Sequence, residues 1–276
     1  MTVHPALTPG KIAVITGGAS GIGLAAAKRF ATLGLKVCIA DANPDALDKA
    51  SAELGDAGLA VRVDVSDRAS VEALADRVEA ELGPVAVLMN NAGVGGGGDA
   101  LSNPDGWLRV LGVNLMGVVN GTQVFGPAMA GGGAPGLIIN TGSKQGVTCP
   151  PGDTAYNVSK AGVKALTEGL AHTLRNREGC QVSAHLLVPG FTYTGMIAAR
   201  VPQQPPGAWT PDQVVDRLLD GIGRGEFYIW CEDNETPRAL DEKRVLWSAN
   251  DIVENRPALS RWHPDWKDRF EAFVRG

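Results

Sequence analysis

Thr16-Gly17-Gly18-Ala19-Ser20-Gly21-Ile22-Gly23 stands between the apolar run Ile12–Thr16 and an alanine-rich helical pattern that starts near residue 22. Glycines at such a junction allow a tight turn and let backbone N–H groups come close to a phosphate, while the following helix N-terminus favours negative charge. An isolated glycine string is often only a turn. Its position between a first strand and a first helix makes it a site for a pyrophosphate.

Outward from that turn the chain alternates short apolar runs with amphipathic segments. Strands are predicted at Ile12–Thr16, Lys36–Ala40, Ala60–Val63, Val85–Asn90, Gly136–Thr141, Gln181–Val188 and Glu226–Trp230, with helices near 22–33, 44–54, 67–82, 104–129, 154–176 and 211–223. Runs such as VAVLM and HLLV are apolar on both faces, as in a sheet covered by helices on each side. The expectation is an α/β protein with a doubly wound parallel sheet, a single domain over 1–276 with its core at about 11–230. A C-terminal extension follows over about 231–276, charged but anchored by Trp247, Trp262 and Trp266, and the Pro-rich stretch Val201–Pro211 is expected to be a mobile surface loop.

The 276 residues are enough for a sizeable core, and a net charge of -5 with mixed signs argues against a nucleic-acid surface. Met1 to Lys11 has no apolar core of a signal peptide, and no run approaches the ~20 apolar residues of a membrane helix. Cytoplasmic placement is expected. Cys38, Cys149, Cys180 and Cys231 contain no CxxC, and His4, His172, His185 and His263 are scattered, so no metal is expected.

Three groups of residues fall at predicted strand ends, the edge where open α/β sheets bind ligands. Asp41 closes the second strand, where a carboxylate can accept from both ribose hydroxyls and would repel a 2′-phosphate, favouring NAD; alternatively it caps the next helix. Asp64-Val65 follows the third strand and Asn90-Asn91-Ala92-Gly93 the fourth. On the helix at 154–176, Tyr156 and Lys160 are four apart and share a face. A phenol titrates near ~10, and a cation beside it favours the phenolate, which makes an acid/base device. Ser143 lies thirteen positions upstream of Tyr156.

Together, TGGASGIG at 16–23, Asp41, Asp64-Val65, NNAG at 90–93, Asn114, Ser143, Tyr156 with Lys160, and Pro189-Gly190 resemble the short-chain dehydrogenase/reductases over residues 11 to about 230. The resemblance implies a Rossmann-like fold and a catalytic tetrad of Asn114, Ser143, Tyr156 and Lys160. In those terms Tyr156 exchanges a proton with the substrate oxygen and Ser143 orients that oxygen. Lys160 binds the nicotinamide ribose and lowers the Tyr156 pKa, and Asn114 anchors a relay water. The same resemblance implies an NAD site formed by Gly17, Ser20, Gly21, Ile22 and Gly23, then Asp41, Asp64, Val65, Asn91, Ala92 and Gly93. Tyr156, Lys160, Pro189, Gly190 and Thr194 complete it.

The activity implied is hydride transfer between NAD and an uncharged, medium-sized secondary alcohol or ketone, aromatic or alicyclic. The pocket is expected from Gln145, Val147, Pro150, Pro151, Phe191 and the loop from Met196 to Trp209; Arg200 is the one cation placed there, and it reads as a solvated loop residue rather than an anchor. Two alternatives stand beside it. One is a sugar-nucleotide epimerase or dehydratase, disfavoured by the short tail, and the other is a non-catalytic NAD-binding sensor or scaffold. GEFYIWCEDNETPR replaces the Val-Asp-Gly-Gly segment that many relatives place at a subunit interface. A homo-oligomer, dimer or tetramer, is expected from apolar helix faces near 104–129 and 154–176, unless those faces only pack on the sheet. The tail covers the sheet edge, meets a neighbouring subunit or closes over the cleft; the sequence leaves the three open.

Overall fold

The computed structural model describes residues 3–55, 58–198 and 201–276, with the Met196 side chain also outside the description. The seven strands are β1 (Ile12–Thr16), β2 (Lys36–Asp41), β3 (Gly58–Arg62), β4 (Val85–Asn90), β5 (Gly136–Thr141), β6 (Val182–Val188) and β7 (Tyr228–Trp230). They form one sheet in the order β3-β2-β1-β4-β5-β6-β7, with every pairing parallel. The order reverses between β1 and β4, and at such a reversal the connections leave on opposite faces and open a crevice beyond the carboxyl ends.

The period-two alternation of β1 explains the two layers. Ala13 and Ile15 face one core with Ala26 and Phe30 of α1 (Gly21–Thr32), Leu47 and Ala50 of α2 (Pro44–Leu54), and Val214 and Leu218 from a later helix, Pro211–Gly223. Ile12 and Val14 face the other, with Val71, Leu74 and Val78 of α3 (Arg68–Glu81) and with Phe125 and Met129. Side chains such as Ile15, Leu74 and Ile138 are fully buried, each contributing about 1.5–3 kcal/mol by leaving water.

The helix predicted over 104–129 is not continuous. It is α4 (Pro104–Leu111), a π-helical turn (Gly112–Met116) and α5 (Gly117–Gly131). The extra residue in that turn carries Asn114 inward, fully buried. A short α6 (Gln145–Thr148) follows β5, and α7 (Thr154–Arg175) spans the segment predicted at 154–176, capped by Asp153, whose carboxylate accepts from Tyr156 N–H at 3.2 Å. Next come α8 (Gly195–Ala198) and α9 (Pro211–Gly223), the latter opened by a capping box between Thr210 and Gln213.

The extension is helical: α10 (Arg238–Val253) and α11 (Lys267–Arg275), joined through two 3-10 turns. Trp247 is buried there, its ring centroid 5.4 Å from Phe270 and 5.2 Å from Phe273, with the Arg256 guanidinium 4.5 Å above it. Residues 201–211 are not the free loop that their prolines suggested. Asn234 Nδ2 donates to Pro206 O at 2.8 Å, Asn234 N–H to Gly207 O at 3.0 Å, and Tyr193 Oη to Pro202 O at 2.8 Å. Among the described residues no helix is long and apolar enough to cross a membrane.

Candidate active site

The turn after β1 is built where side chains would not fit. Gly17 has φ +62° and a Cβ there would lie 2.7 Å from Ala92 Cα; a Cβ on Gly23 would lie 2.2 Å from Gly17 O. Ser20 is the N-cap residue of α1, yet its hydroxyl makes no capping bond and the first turn holds no acidic residue. The N–H groups at this helix end are thus left for an anion, which is the chemistry a pyrophosphate needs.

Asn91 fixes the turn against the neighbouring strand ends. Its N–H donates to Thr16 Oγ1 at 3.0 Å, its Nδ2 to Thr16 O at 3.2 Å and Gly17 O at 3.3 Å, and its Oδ1 accepts from Thr141 Oγ1 at 3.2 Å. Below it, Asn90, Asn140 and Thr167 form a buried polar chain across β4, β5 and α7, with bonds of 2.9 and 3.0 Å. Asp41 accepts from Ala19 N–H at 3.2 Å and from Asn43 N–H at 3.0 Å, so one carboxylate both braces the glycine turn and faces the cleft. Its capping alternative is not what the structure has: Asn43 caps α2.

A cleft of about 840 Å³ runs along the carboxyl ends of the strands. Gly17, Ser20, Gly21, Ile22, Asp41, Asp64, Val65, Asn91, Ala92, Gly93, Ser143, Tyr156, Lys160, Pro189, Gly190 and Thr194 all line it. Gly23 lies beneath the turn rather than on the lining, and Asn114 sits behind the cleft wall. Of the expected pocket residues, Gln145, Phe191 and, from the 196–209 loop, Ile197 line the cleft. Val147 does not: it turns inward against the cluster of Val118, Val163, Leu186, Val188 and Trp230, because α6 packs against α7. Pro151 is exposed on the loop before α7 and is not on the lining. The Met196 side chain and Arg200 lie outside the described residues.

Also on the cleft lining, Lys160 Nζ lies 5.7 Å from the Tyr156 ring centroid and donates to Thr141 O at 2.7 Å. Burial holds its ammonium down at about 8. The Tyr156 phenol stands above its ordinary value because burial disfavours the phenolate; a hydrogen bond with Ser143 opposes this, and Asp153 reinforces it. The phenol thus lies on the opposite side of its ordinary value from the lowering expected of Lys160, with desolvation the largest cause. Asn114 Oδ1 accepts from Val94 N–H at 2.7 Å while its Nδ2 donates to Val94 O at 2.9 Å and to Ser159 Oγ at 3.2 Å.

Against known proteins, the short chain dehydrogenase family model matches residues 11–205. The chain belongs to the short-chain dehydrogenase/reductase family. It is 40% identical over 192 residues to galactitol 2-dehydrogenase (L-tagatose-forming) of Cereibacter sphaeroides, covering 68% of this chain and 73% of that one. It is 34% identical over 191 residues to an NADP-dependent (R)-specific alcohol dehydrogenase of Lentilactobacillus kefiri, covering 68% and 75%. A short-chain dehydrogenase/reductase from Burkholderia phymatum, solved in complex with NAD, superimposes with a TM-score of 0.81 at 37% identity, over 90% of this chain and 96% of that one.

Two residues of this family member's cleft were not singled out from the sequence. Asp153 Oδ2 accepts from Gly96 N–H at 2.8 Å and Gly97 N–H at 3.2 Å while its Oδ1 caps α7, so it joins the glycine loop after β4 to the helix of Tyr156. Its place three residues before Tyr156, at a helix start, was the available signal. Lys144, next to Ser143, also lines the cleft, and only a long-range pairing shows what it does.

Proposed function

We propose that the protein is an NAD-dependent dehydrogenase or reductase that moves hydride between the nicotinamide and an uncharged, medium-sized secondary alcohol or ketone. The observation that carries this reading is the meeting, in one cleft, of the uncapped glycine turn, Asp41, and the Ser143, Tyr156 and Lys160 group. Asp41, Asp64 and Ala42 line the adenosine end, with no cation among the described lining residues there to receive a 2′-phosphate. That supports NAD, although a relative is NADP-dependent.

The residues fit a nicotinamide dinucleotide: the N–H groups of Ser20, Gly21 and Ile22 would face its phosphates, Asp41 its ribose hydroxyls, and Pro189, Gly190 and Thr194 its nicotinamide end. Bound there, the cofactor supplies the hydride donor or acceptor and, when oxidised, a positive charge. Ser143 holds the substrate oxygen by a hydrogen bond, and Tyr156 gives or takes the proton at that oxygen through its Oη. Lys160, still largely ammonium at pH 7 with its pKa near about 8, opposes the desolvation that disfavours the phenolate. Asn114 fixes Val94 and thereby the loop that roofs Lys160.

Support for an uncharged substrate comes from the lining itself: Gln145, Phe191 and Thr192, with Lys144 already paired to carboxylates. Self-association is part of the proposal, because Leu108, Met116 and Val158 remain exposed; light scattering of the purified protein tests it. The activity is tested by NADH absorbance with a panel of secondary alcohols, and loss of turnover in Tyr156→Phe separates a dehydrogenase from a non-catalytic NAD binder.

A further inference from the structure

Lys144 directly follows Ser143 and begins the turn that leads into α6, with its N–H donating to Pro189 O at 3.1 Å. Its ammonium does not point to free solvent. It lies 3.0 Å from Asp233 Oδ2 and 2.5 Å from Asp241 Oδ2, both from the C-terminal extension. Asp241 is 3% exposed and accepts in addition from Trp230 Nε1 at 2.9 Å, with Arg244 3.6 Å from its other oxygen. Asp233 also accepts from Thr236 and from the N–H of Phe191, and these bonds with Lys144 outweigh its burial and keep its carboxyl below the usual range.

The pair lies flat on the end of β6. A Cβ on Gly190 would come within 2.8 Å of Lys144 Cε and Nζ and 3.0 Å of Asp233 Oδ2. Asn234, beside Asp233, binds the other wall through Pro206 O and Gly207 O at 2.8 and 3.0 Å. One turn of the extension thus touches three segments of the substrate end: the Ser143 turn, the Pro189–Gly190 turn and the 206–208 stretch.

We propose that Lys144, Asp233 and Asp241 are positioning residues through which the C-terminal extension sets the turn carrying Ser143. The inference rests on the dehydrogenase reading for its catalytic consequence but not for its structural one. Two carboxylates pair with the one lysine, so the cleft wall beside Ser143 presents no free cation. A buried ion cluster has few alternative arrangements, and losing one member leaves an unpaired charge that must seek solvent. The turn then moves, and small displacements of a group that orients substrate cost rate steeply.

The test uses the full-length protein and the variants Asp233→Asn, on the more exposed side of the cluster, and Asp241→Asn, on its buried side. Hydrogen exchange followed by mass spectrometry is read in peptides covering 143–149 and, as reference, 12–23. kcat, KM and the NAD Kd are measured in parallel. Expected are a rise of at least tenfold in exchange at 143–149 with 12–23 unchanged, a fall of at least tenfold in kcat, and an NAD Kd within twofold of wild type. Exchange at 143–149 equal to wild type in Asp233→Asn overturns the proposal. So does an unchanged kcat where exchange has risen. If wild type turns over no alcohol or ketone, the dehydrogenase reading fails by itself, and the exchange result still decides whether the cluster holds the turn.

Discussion

Asn114 grips Val94 from both sides, its Oδ1 accepting the Val94 N–H at 2.7 Å and its Nδ2 donating to the Val94 carbonyl at 2.9 Å. The π-helical turn at Gly112–Met116 makes this possible by carrying the carboxamide under the loop after β4. Since the Nδ2 also reaches Ser159, each polar atom of the side chain has a protein partner.

Asn114→Leu leaves the Val94 N–H and carbonyl without partners, at a cost of about 1–3 kcal/mol for each that stays buried. The expected outcome is a lowered unfolding midpoint together with at least a tenfold fall in kcat/KM, checked by thermal denaturation and initial rates on one preparation. Unaltered rates with reduced stability would confine Asn114 to a structural role.

Lys160, which the proposed mechanism uses to support the phenolate, carries a stability cost. Its pKa falls from 10.5 unfolded to about 8 folded, so burying the ammonium penalises folding fully below pH 8, and the penalty fades as pH rises from about 8 to 10.5. The difference is on the order of 3 kcal/mol. Lys160→Met is therefore expected to abolish turnover while its unfolding midpoint at pH 7 is no lower than wild type, with any advantage shrinking toward pH 10. Denaturation across that range checks it; marked destabilisation at pH 7 would contradict it.

The raised Tyr156 phenol sets the sign of the pH dependence. Alcohol oxidation needs a proton acceptor, and well below its pKa the phenolate fraction grows about tenfold per pH unit. Ketone reduction needs the phenol, which is already abundant. Accordingly kcat/KM for oxidation should climb from pH 7 to 9 while that for reduction stays level or falls, measured with one substrate pair in both directions. A flat oxidation profile would argue against Tyr156 as the base.

Asp41 is expected to set the cofactor. In Asp41→Ser combined with Ala42→Arg, the repelling carboxylate is gone and a cation stands at the end of β2. The ratio of kcat/KM for NAD to that for NADP should drop at least a hundredfold, a change of about 2.7 kcal/mol. Ala19 and Asn43 lose an acceptor in this variant, so a modest loss of stability is expected as well.

Much of the fold was legible because its signals are local. Apolar runs bounded by turns located all seven strands, and strand–helix alternation implied the parallel order. The glycine turn and the Tyr156–Lys160 pair depend on spacing within one element, so a single sequence displays them. What escaped depends on distant partners. The break at Gly112–Met116 reflects a bond from Asn114 to Val94, twenty residues away. The tethering of 206–208 needs Asn234, and the direction of Val147 depends on Val163 and Leu186. Lys144 reads as a surface lysine until Asp233 and Asp241, about ninety residues on, are folded back against it.

The most direct measurement is NADH absorbance at neutral pH with purified protein, NAD and a panel of aliphatic, alicyclic and benzylic secondary alcohols, with Tyr156→Phe alongside. The account predicts turnover with at least one uncharged alcohol, a strong preference for NAD over NADP, and loss of turnover in the variant with NAD affinity retained. Turnover that survives in Tyr156→Phe, or NAD binding without turnover of any alcohol or of the matching ketones with NADH, would contradict it.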